Sequence, residues 1–307
     1  MNRIAGIVVA AIGFVIAVMS VLKVVPGITS TGVMLIILGG LVIGLSFVSA
    51  PDPGDTERMS TPSSLINIFL SPGEVFQNLR RHPRWLVAAL IMTLMSATFS
   101  NLFLYRLTPE RVTNFAIDKT LEMPMMNDDA RKQVEAGRPA ALADARNPVT
   151  RAGQAVGGFA WAIIGYSLLA GIFLLFALAM GGKINFFQAF SIAVYANFPI
   201  AVIRFILNTV LLFIKDPTDI HPITGQSSLI QDNLSFLVVP AEHPVIYTFL
   251  ATISILGIYW IWMNATGLKN GGERVTGTTG WAASLSVYGL LMMLAVSMAA
   301  LFPGFIG

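Results

Sequence analysis

The sequence predicts an all-α, polytopic integral membrane protein with about seven transmembrane helices. Of the 307 residues, 55% are hydrophobic and only 11% are charged, whereas soluble domains are about 25% charged. The mean hydropathy is +0.73. Seven apolar stretches are long enough to cross a bilayer core of about 30 Å as helices, and none alternates like a barrel strand. The predicted spans are 4–25, 32–50, 85–105, 157–180, 187–213, 244–266 and 281–302.

The spans fall into a two-helix hairpin and a five-helix core. Residues 1–50 form the hairpin, whose turn is marked by Pro26 and Gly27. Residues 51–84 form a polar linker that leads into residues 85–307, the five-span domain. The loop 107–152 is the one sizeable extramembrane part, and helix start signals at Thr108 and Asn127 predict two helices in it, the second ending near Gly137.

The orientation follows from the basic residues of the short loops. With the N-terminus inside, they all fall on the cytoplasmic side, as the positive-inside rule requires. These residues are Arg3, Arg58, Arg80, Arg81, Arg84, Lys183, Lys269 and Arg274. The loop 216–243 carries four acids and no Lys or Arg, and it is expected outside together with the loop 107–152.

The residues that usually carry catalysis or metal binding are scarce. The chain has no cysteine, which excludes disulfides, thiolate nucleophiles and cysteine-held metal clusters. Each of the three histidines precedes a proline in a loop, without a second ligand at metal spacing. We therefore predict no catalytic residue, no cofactor and no metal site, so that the protein is not an enzyme. The net charge of +3 comes without a basic cluster, and no nucleic-acid partner is expected.

Two short helices are predicted before the third span. Thr61 is expected to cap the first helix, with Pro62 at its first position. Ser71 and Glu74 have the spacing of a capping box for the second. An apolar face, a basic end and an aromatic residue at the membrane boundary are typical of a helix in the bilayer interface. The alternative is that the helices pack on the protein's own spans. We call the segment that holds these two helices the lead-in. Its candidate interfacial residues are Ser71, Glu74, Phe76, Arg80, Arg81, Arg84 and Trp85.

The lead-in also resembles a known family. The stretch 69–85, FLSPGEVFQNLRRHPRW, resembles the opening signature of bacterial Yip-family proteins, relatives of the Ypt/Rab-interacting membrane proteins of eukaryotes. The segments 107–110 (LTPE), 195–199 (YANFP) and 267–269 (GLK) resemble later parts of the family, so that the resemblance covers residues 65–302. It implies a five-helix membrane core with a cytoplasmic lead-in, but no agreed chemistry. The hairpin is not part of that core.

One charged residue lies inside a predicted span. Asn197, Arg204 and Asn208 are seven and four residues apart, and hence on one helical face. Counted from Lys215, Arg204 is about 16 Å deep, where charge is costly and usually faces the bundle interior or water. We expect it to point into the core and to contact neutral oxygens or a lipid phosphate, since no predicted span contains an acid. Its role is either a structural clamp or a functional site.

Small residues at helical spacing predict close helix packing. Gly40 and Gly44 in the second span, and Gly153 and Gly157 at the start of the fourth, are G-x-x-x-G pairs. The pairs Gly6/Ala10 and Gly13/Ala17 are weaker versions. Packing within the monomer is expected for the fourth span. For the hairpin, a contact with another subunit is an equal alternative.

Together these observations predict a non-enzymatic membrane scaffold or accessory subunit that acts through helix contacts. Its expected partners are the lipid bilayer and either other membrane subunits or further copies of the chain. The alternative function is a small transporter, channel or lipid-handling protein that uses the polar face around Arg204. The expected location is the bacterial cytoplasmic membrane.

Overall fold

The computed structural model describes residues 3–49, 52, 54, 56–123 and 126–305. These residues are mostly helical, and the only β-structure among them is two isolated β-bridges. The helices are α1 (Arg3–Val21), α2 (Thr29–Leu45), α3 (Thr61–Leu70), α4 (Pro72–Arg81), α5 (Leu86–Leu107), α6 (Pro109–Leu121), α7 (Asp128–Arg146), α8 (Pro148–Ala179), α9 (Phe186–Ile214), α10 (Thr224–Ser227), α11 (Pro244–Thr252), α12 (Ile255–Gly271) and α13 (Gly277–Leu301).

Five of these helices, α1, α5, α8, α9 and α13, are long and apolar enough to cross a membrane. This confirms the predicted fold class, an all-helical polytopic membrane protein. The two other predicted spans are shorter elements: α2 has 17 residues, and the predicted span 244–266 is divided into α11, with nine residues, and α12, with 17. The number of crossings therefore depends on how α2 and the α11–α12 pair sit in the bilayer.

The divided span results from local capping of α12. The Ser254 side chain accepts a hydrogen bond from the Gly257 N–H (2.9 Å), as an N-cap does. The carboxylate of Asp232 accepts a second from the Leu256 N–H (2.8 Å). At the end of α11, the Tyr288 hydroxyl donates a hydrogen bond to the Thr252 carbonyl. Protein groups thus form hydrogen bonds with the backbone at both helix ends of the break. A helix that is interrupted at membrane depth requires such partners, because lipid offers none.

Helix α9 lies at the centre of the bundle. Every residue from Phe187 to Ala196 is buried, and α4, α5, α8 and α12 all pack against this helix. Its start is a true capping box, in which the Asn185 side chain accepts from the Phe187 N–H (2.8 Å) and the Gln188 side chain accepts from the Asn185 N–H (2.7 Å). A helix that is apolar on all sides is expected in such a buried position.

The two helices of the hairpin are in contact through glycines. A Cβ atom on Gly13 would lie 2.7 Å from the Gly32 carbonyl, and one on Gly39 would lie 2.6 Å from the Ala10 nitrogen. The close approach thus uses the weaker small-residue pairs of α1, together with Gly32 and Gly39 of α2. Lipid provides no hydrophobic driving force for helices to associate. The van der Waals contacts between such closely spaced backbones therefore stabilise the hairpin.

The four glycines singled out in the sequence lie in two different environments. A Cβ on Gly153 would meet Ile28, and one on Gly157 would meet Thr31, whose hydroxyl donates to the Gly153 carbonyl (2.9 Å). These two glycines of α8 therefore hold the hairpin on the core. At Gly40 and Gly44 no atom of the described residues lies within 4 Å of the Cβ position, so these glycines take no part in packing within the described part of the chain.

Helices α6 and α7 begin where the sequence predicted. The side chains of Thr108 and Asn127 accept from the N–H groups three residues later (3.4 and 2.8 Å). The predicted end of α7 near Gly137 is wrong, since the helix continues through Pro139 to Arg146. At the site of the proline, Arg138 forms ion pairs with Asp118 of α6 (2.7 Å) and with Glu135 (2.8 Å), which hold α7 against α6.

Neighbouring glycines of α2 allow a matched test of the hairpin packing. We expect Gly39→Ala to lower the free energy of unfolding by about 1–3 kcal/mol, because the new methyl group must displace the backbone of α1. Gly40→Ala is expected to be neutral or to stabilise by up to about 1 kcal/mol, since alanine is the better helix former and space is free there. Thermal unfolding in detergent measures both. Equal midpoints for the two variants would contradict the packing described.

Candidate functional site

Two adjoining cavities lie between α5, α8 and α9, at the end of the bundle that carries α6 and α7. Their volumes are about 460 and 250 Å³, and the larger lies within the range typical of ligand pockets. They share four wall residues, Met92, Ser96, Tyr166 and Ala201. The larger cavity extends along α5 from Leu104 to Ala89, which are 15 residues or about 22 Å apart.

The space exists because small residues face one another across α5 and α8. Ala89 and Ala97 on α5 lie opposite Ala155, Gly158 and Ala162 on α8. Both helices pack on α9, yet a Cβ on Gly158 would meet nothing within 4 Å. The small side chains thus leave a groove with α9 as its floor, instead of closing the helices on one another.

Arginines lie at both cavities. Arg151 lines the larger one, where its Nη1 donates to the Asn101 Oδ1 (3.1 Å) and its Nε is buried without a partner. Arg204 lines the smaller one and is exposed. Among the described residues its guanidinium makes no hydrogen bond or ion pair, and the walls of both cavities contain no Asp or Glu. The cavities are therefore electropositive.

The two asparagines predicted to accompany Arg204 also line the smaller cavity, but their polar atoms are engaged. Asn197 donates to the Ala193 carbonyl (2.8 Å) and accepts from the Trp260 indole N–H (3.0 Å). Asn208 is buried, and its Oδ1 accepts from the Leu229 N–H (2.8 Å) in the loop 216–243. The asparagines therefore join α9 to α12 and to this loop, whereas the polar atoms of Arg204 stay available.

The loop 216–243 bears on the depth of Arg204. Helix α9 has 29 residues, about 43 Å, and exceeds a hydrocarbon core of about 30 Å. The polar loop 216–243 contacts Asn208, one turn beyond Arg204. The depth of about 16 Å, counted from Lys215, stays a prediction.

The loop 216–243 folds back against the bundle and brings a carboxylate to it. The Asp232 carboxylate accepts from the Leu256 N–H (2.8 Å) at the start of α12. It forms no ion pair with Arg204 within the described residues. The expectation that no acid is available at the depth of Arg204 considered only the apolar spans, and it stays a prediction.

The apolar face of α4 packs on the protein itself. Val75, Phe76 and Leu79 are at most 1% exposed, because this face packs on α9 and α12, with Phe76 against Gly267. This packing supports the alternative interpretation for α4, in which the helix packs on the protein's own spans. Helix α3 differs, since Ile66, Phe69 and Leu70 remain exposed.

The predicted capping signals of the lead-in are also revised. Ser71 makes no side-chain cap bond and instead forms the turn between α3 and α4, while Glu74 is exposed. Helix α3 is capped by Ser60, whose hydroxyl accepts from the Ser63 N–H (3.3 Å), and not by Thr61. The predicted cap at Thr61 was thus one residue too late, since Thr61 is the first residue of α3.

Arg84 and Trp85 join the lead-in to the spans. The Arg84 Nη2 donates to the Ser64 hydroxyl (2.7 Å) and to the Asn78 Oδ1 (3.1 Å), which connects α3, α4 and the start of α5. Burial lowers the pKa of Arg84. The Trp85 ring lies 5.2 Å from that of Phe190 in α9. Arg80 and Arg81, in contrast, line a separate pocket at this end of the bundle.

The sequence analysis missed Arg151. It assigned this residue to the loop 107–152, because only apolar residues were counted toward the fourth span. In the structure α8 begins at Pro148, where the Asn147 side chain accepts from the Val149 N–H (2.9 Å). The Asn-Pro pair was the available signal, since asparagine at the N-cap followed by proline is a typical helix start.

The loop 216–243 contains a histidine whose neutral form is part of its structure. The His221 Nδ1 accepts from the N–H groups of Ile223 and Thr224 (3.2 and 3.1 Å). Burial, followed by the nearby charge of Lys119, lowers the pKa of His221. Since the unfolded chain then takes up a proton first, the stabilisation is present above a pH of about 6.5 and decreases as the pH falls below that value.

We therefore expect the wild-type protein to lose thermal stability between pH 7.5 and pH 5.5. In His221→Asn an amide oxygen can accept the same N–H groups without titrating, so this loss should be smaller. His243→Asn, which changes an exposed ring, serves as the control. Thermal unfolding at the two pH values measures the effect, and an unchanged loss in His221→Asn would refute the role of His221.

Comparison with known proteins identifies the family. The family model described as the Yip1 domain matches residues 66–300, which leaves the hairpin α1–α2 outside the matched region. No curated protein and no solved structure shows a significant match. Members of the matched family are generally non-enzymatic membrane proteins. The chain is thus a membrane protein that belongs to the Yip1-domain family.

Proposed function

We propose that the protein binds an anionic lipid in the two cavities between α5, α8 and α9. The observation that carries the proposal is the pair Arg151 and Arg204, two cations without an acidic partner on the walls of a mostly apolar groove. Guanidinium groups bind phosphate through paired hydrogen bonds. The proposal corresponds to the lipid-handling alternative predicted from sequence. The headgroup of the lipid would lie near one membrane surface instead of at the bilayer centre.

The two ends of the larger cavity suit the two parts of such a lipid. Near Arg151 the wall is polar, with Ser100, Asn101 and Gln154. Helix α8 has 32 residues, about 48 Å, so Arg151 extends beyond the hydrocarbon core to the level of headgroups. Farther along, Ala89, Met92 and Ala162 form an apolar wall that suits an acyl chain. The leaflet would be the one on the side of α6 and α7, in a bacterial cytoplasmic membrane.

Lipid retention by purified protein tests the proposal. We expect wild-type protein in mild detergent to retain an anionic phospholipid in about equimolar amount, and Arg151→Gln/Arg204→Gln to lose at least about 90% of it, since the loss of the paired phosphate bonds removes several kcal/mol. Arg131→Gln, in the exposed helix α7, is the control for charge. Native mass spectrometry counts the bound lipid, and thermal unfolding verifies the fold. Equal retention by the double variant would overturn the proposal.

A scaffold role remains a second candidate, because one face of the hairpin is unoccupied. Gly40 and Gly44 present small residues with nothing within 4 Å of either, on an element outside the Yip1 domain. Small residues at this spacing permit close contact between helices in lipid. We propose a second copy of the chain as the partner.

Cross-linking tests this contact, because the chain has no cysteine of its own. Gly40→Cys in native membranes should form disulfide-linked dimers on mild oxidation, since the two α2 helices would meet at this face. Gly289→Cys, at an equally open position of α13, should remain monomeric. Dimers of both variants, or of neither, would contradict the proposed contact.

A further inference from the structure

A third pocket lies at the opposite end of the bundle from the Arg151–Arg204 cavities. It has a volume of about 480 Å³ and is formed by the linker before α3, the outer side of α4 and the end of α12. It shares no residue with the other two cavities. Its wall residues are Thr56, Met59, Glu74, Gln77, Asn78, Arg80, Arg81, Lys269 and Asn270.

Hydrogen bonds hold the linker in place as one wall of this pocket. The Asn78 Nδ2 donates to the Glu57 carbonyl (2.9 Å), and the Met59 N–H donates to the Asn78 Oδ1 (3.2 Å). The His82 Nε2 donates to the Thr56 carbonyl (2.7 Å). On the opposite wall, the Gln77 Nε2 donates to the Asn270 Oδ1 (3.3 Å) and joins α4 to α12. The pocket is thus bounded by fixed elements on both sides.

The charge of the pocket is positive. Its walls contain Arg80, Arg81 and Lys269 against a single acid, Glu74. Arg81 is loosely paired outside the pocket wall, 3.7 Å from Glu273, with both side chains more than a third exposed, and such pairs contribute little. The Nε of Arg80 is buried and lacks a hydrogen-bond partner. Three neighbouring cations with one acid favour an anionic ligand.

The neighbouring helix α3 places this pocket near the membrane surface. Its exposed side chains Ile66, Phe69 and Leu70 are apolar, and the Phe69 ring lies 6.2 Å from that of Phe198 inside the span α9. Apolar residues at this level suit the boundary between headgroups and acyl chains. The phosphate of a lipid and a phosphate in solution can therefore both reach the pocket.

We propose that this pocket is a second anion site, which binds a phosphate monoester through Arg80, Arg81 and Lys269. Arginine supplies paired donors to phosphate oxygens, and lysine supplies a mobile point charge. The polar side chains of Gln77 and Asn270 offer further contacts to the alcohol part of the ester. The site is independent of the lipid proposed between α5, α8 and α9.

Two probes distinguish the source of the phosphate. Full-length protein in phosphatidylcholine nanodiscs is titrated with radiolabelled glycerol 3-phosphate by equilibrium dialysis. In parallel, protein exchanged into nanodiscs containing phosphatidic acid is analysed for retained lipid by native mass spectrometry. The lipid measurement is made in the Arg151→Gln/Arg204→Gln background, so that the other proposed site does not contribute. Binding of glycerol 3-phosphate identifies a soluble ester as ligand; retention of phosphatidic acid alone identifies a lipid headgroup.

In either case we expect Arg81→Gln/Lys269→Gln to reduce binding at least tenfold. Arg131→Gln/Lys132→Gln removes the same charge from the exposed surface of α7 and should leave binding unchanged. Lys269 makes no side-chain hydrogen bond or ion pair with the described residues. Lys269→Gln alone should therefore give an intermediate loss of binding without affecting the fold, and it controls for misfolding of the double variant. The proposal is overturned if glycerol 3-phosphate does not bind to wild-type protein and phosphatidic acid is not retained in the Arg151→Gln/Arg204→Gln background. Equal losses in the two double variants would overturn it too.

Discussion

The burial of the first half of α9 is the constraint on which the bundle depends. From Phe187 to Ala196 this helix is enclosed on all sides, and the side chain of Gln188 also donates to the Arg80 carbonyl (2.7 Å) at the end of α4. Since close-packed interiors tolerate little displacement, the helices around it are fixed relative to one another. The second half of α9 is less enclosed, and it is there that Arg204 faces a cavity.

Polar groups in this membrane domain fall into two classes. Asn197, Asn208 and Arg84 each connect separate elements through defined hydrogen bonds. The second class comprises Arg204, which makes no hydrogen bond with the described residues, and Arg151, whose Nε is buried without a partner among them. Because an unsatisfied polar group is costly in a medium of low polarity, the first class explains how the bundle is held together, and the second indicates where something from outside the chain can bind.

The sequence predicted the elements that depend on hydrophobicity alone. Apolar length located α1, α5, α9 and α13 to within a few residues, because a bilayer demands long apolar helices. It could not predict the break between α11 and α12, since that break depends on Asp232, which is far away in sequence. The amphipathic pattern of α4 was equally ambiguous, because an apolar face suits lipid and a neighbouring helix alike. For the cavity, the helical period placed Arg204 and the two asparagines on one face of α9. The wall residues of α8 could not be predicted from sequence, because they depend on how α8 packs in the bundle.

The break at Ile253 and Ser254 also affects how the domain responds to bilayer thickness. Helix α12 is held at both ends, by Asp232 at its start and, beyond its end, by the paired backbones of Lys183 and Glu273 (2.6 Å in each direction). A continuous helix of this total length would tilt as a unit when the bilayer became thinner. Here the backbone of the helix is interrupted, and α12 is bonded to the rest of the chain at both ends. A change in the tilt of α11 with bilayer thickness would therefore not be transmitted along a continuous helix to α12.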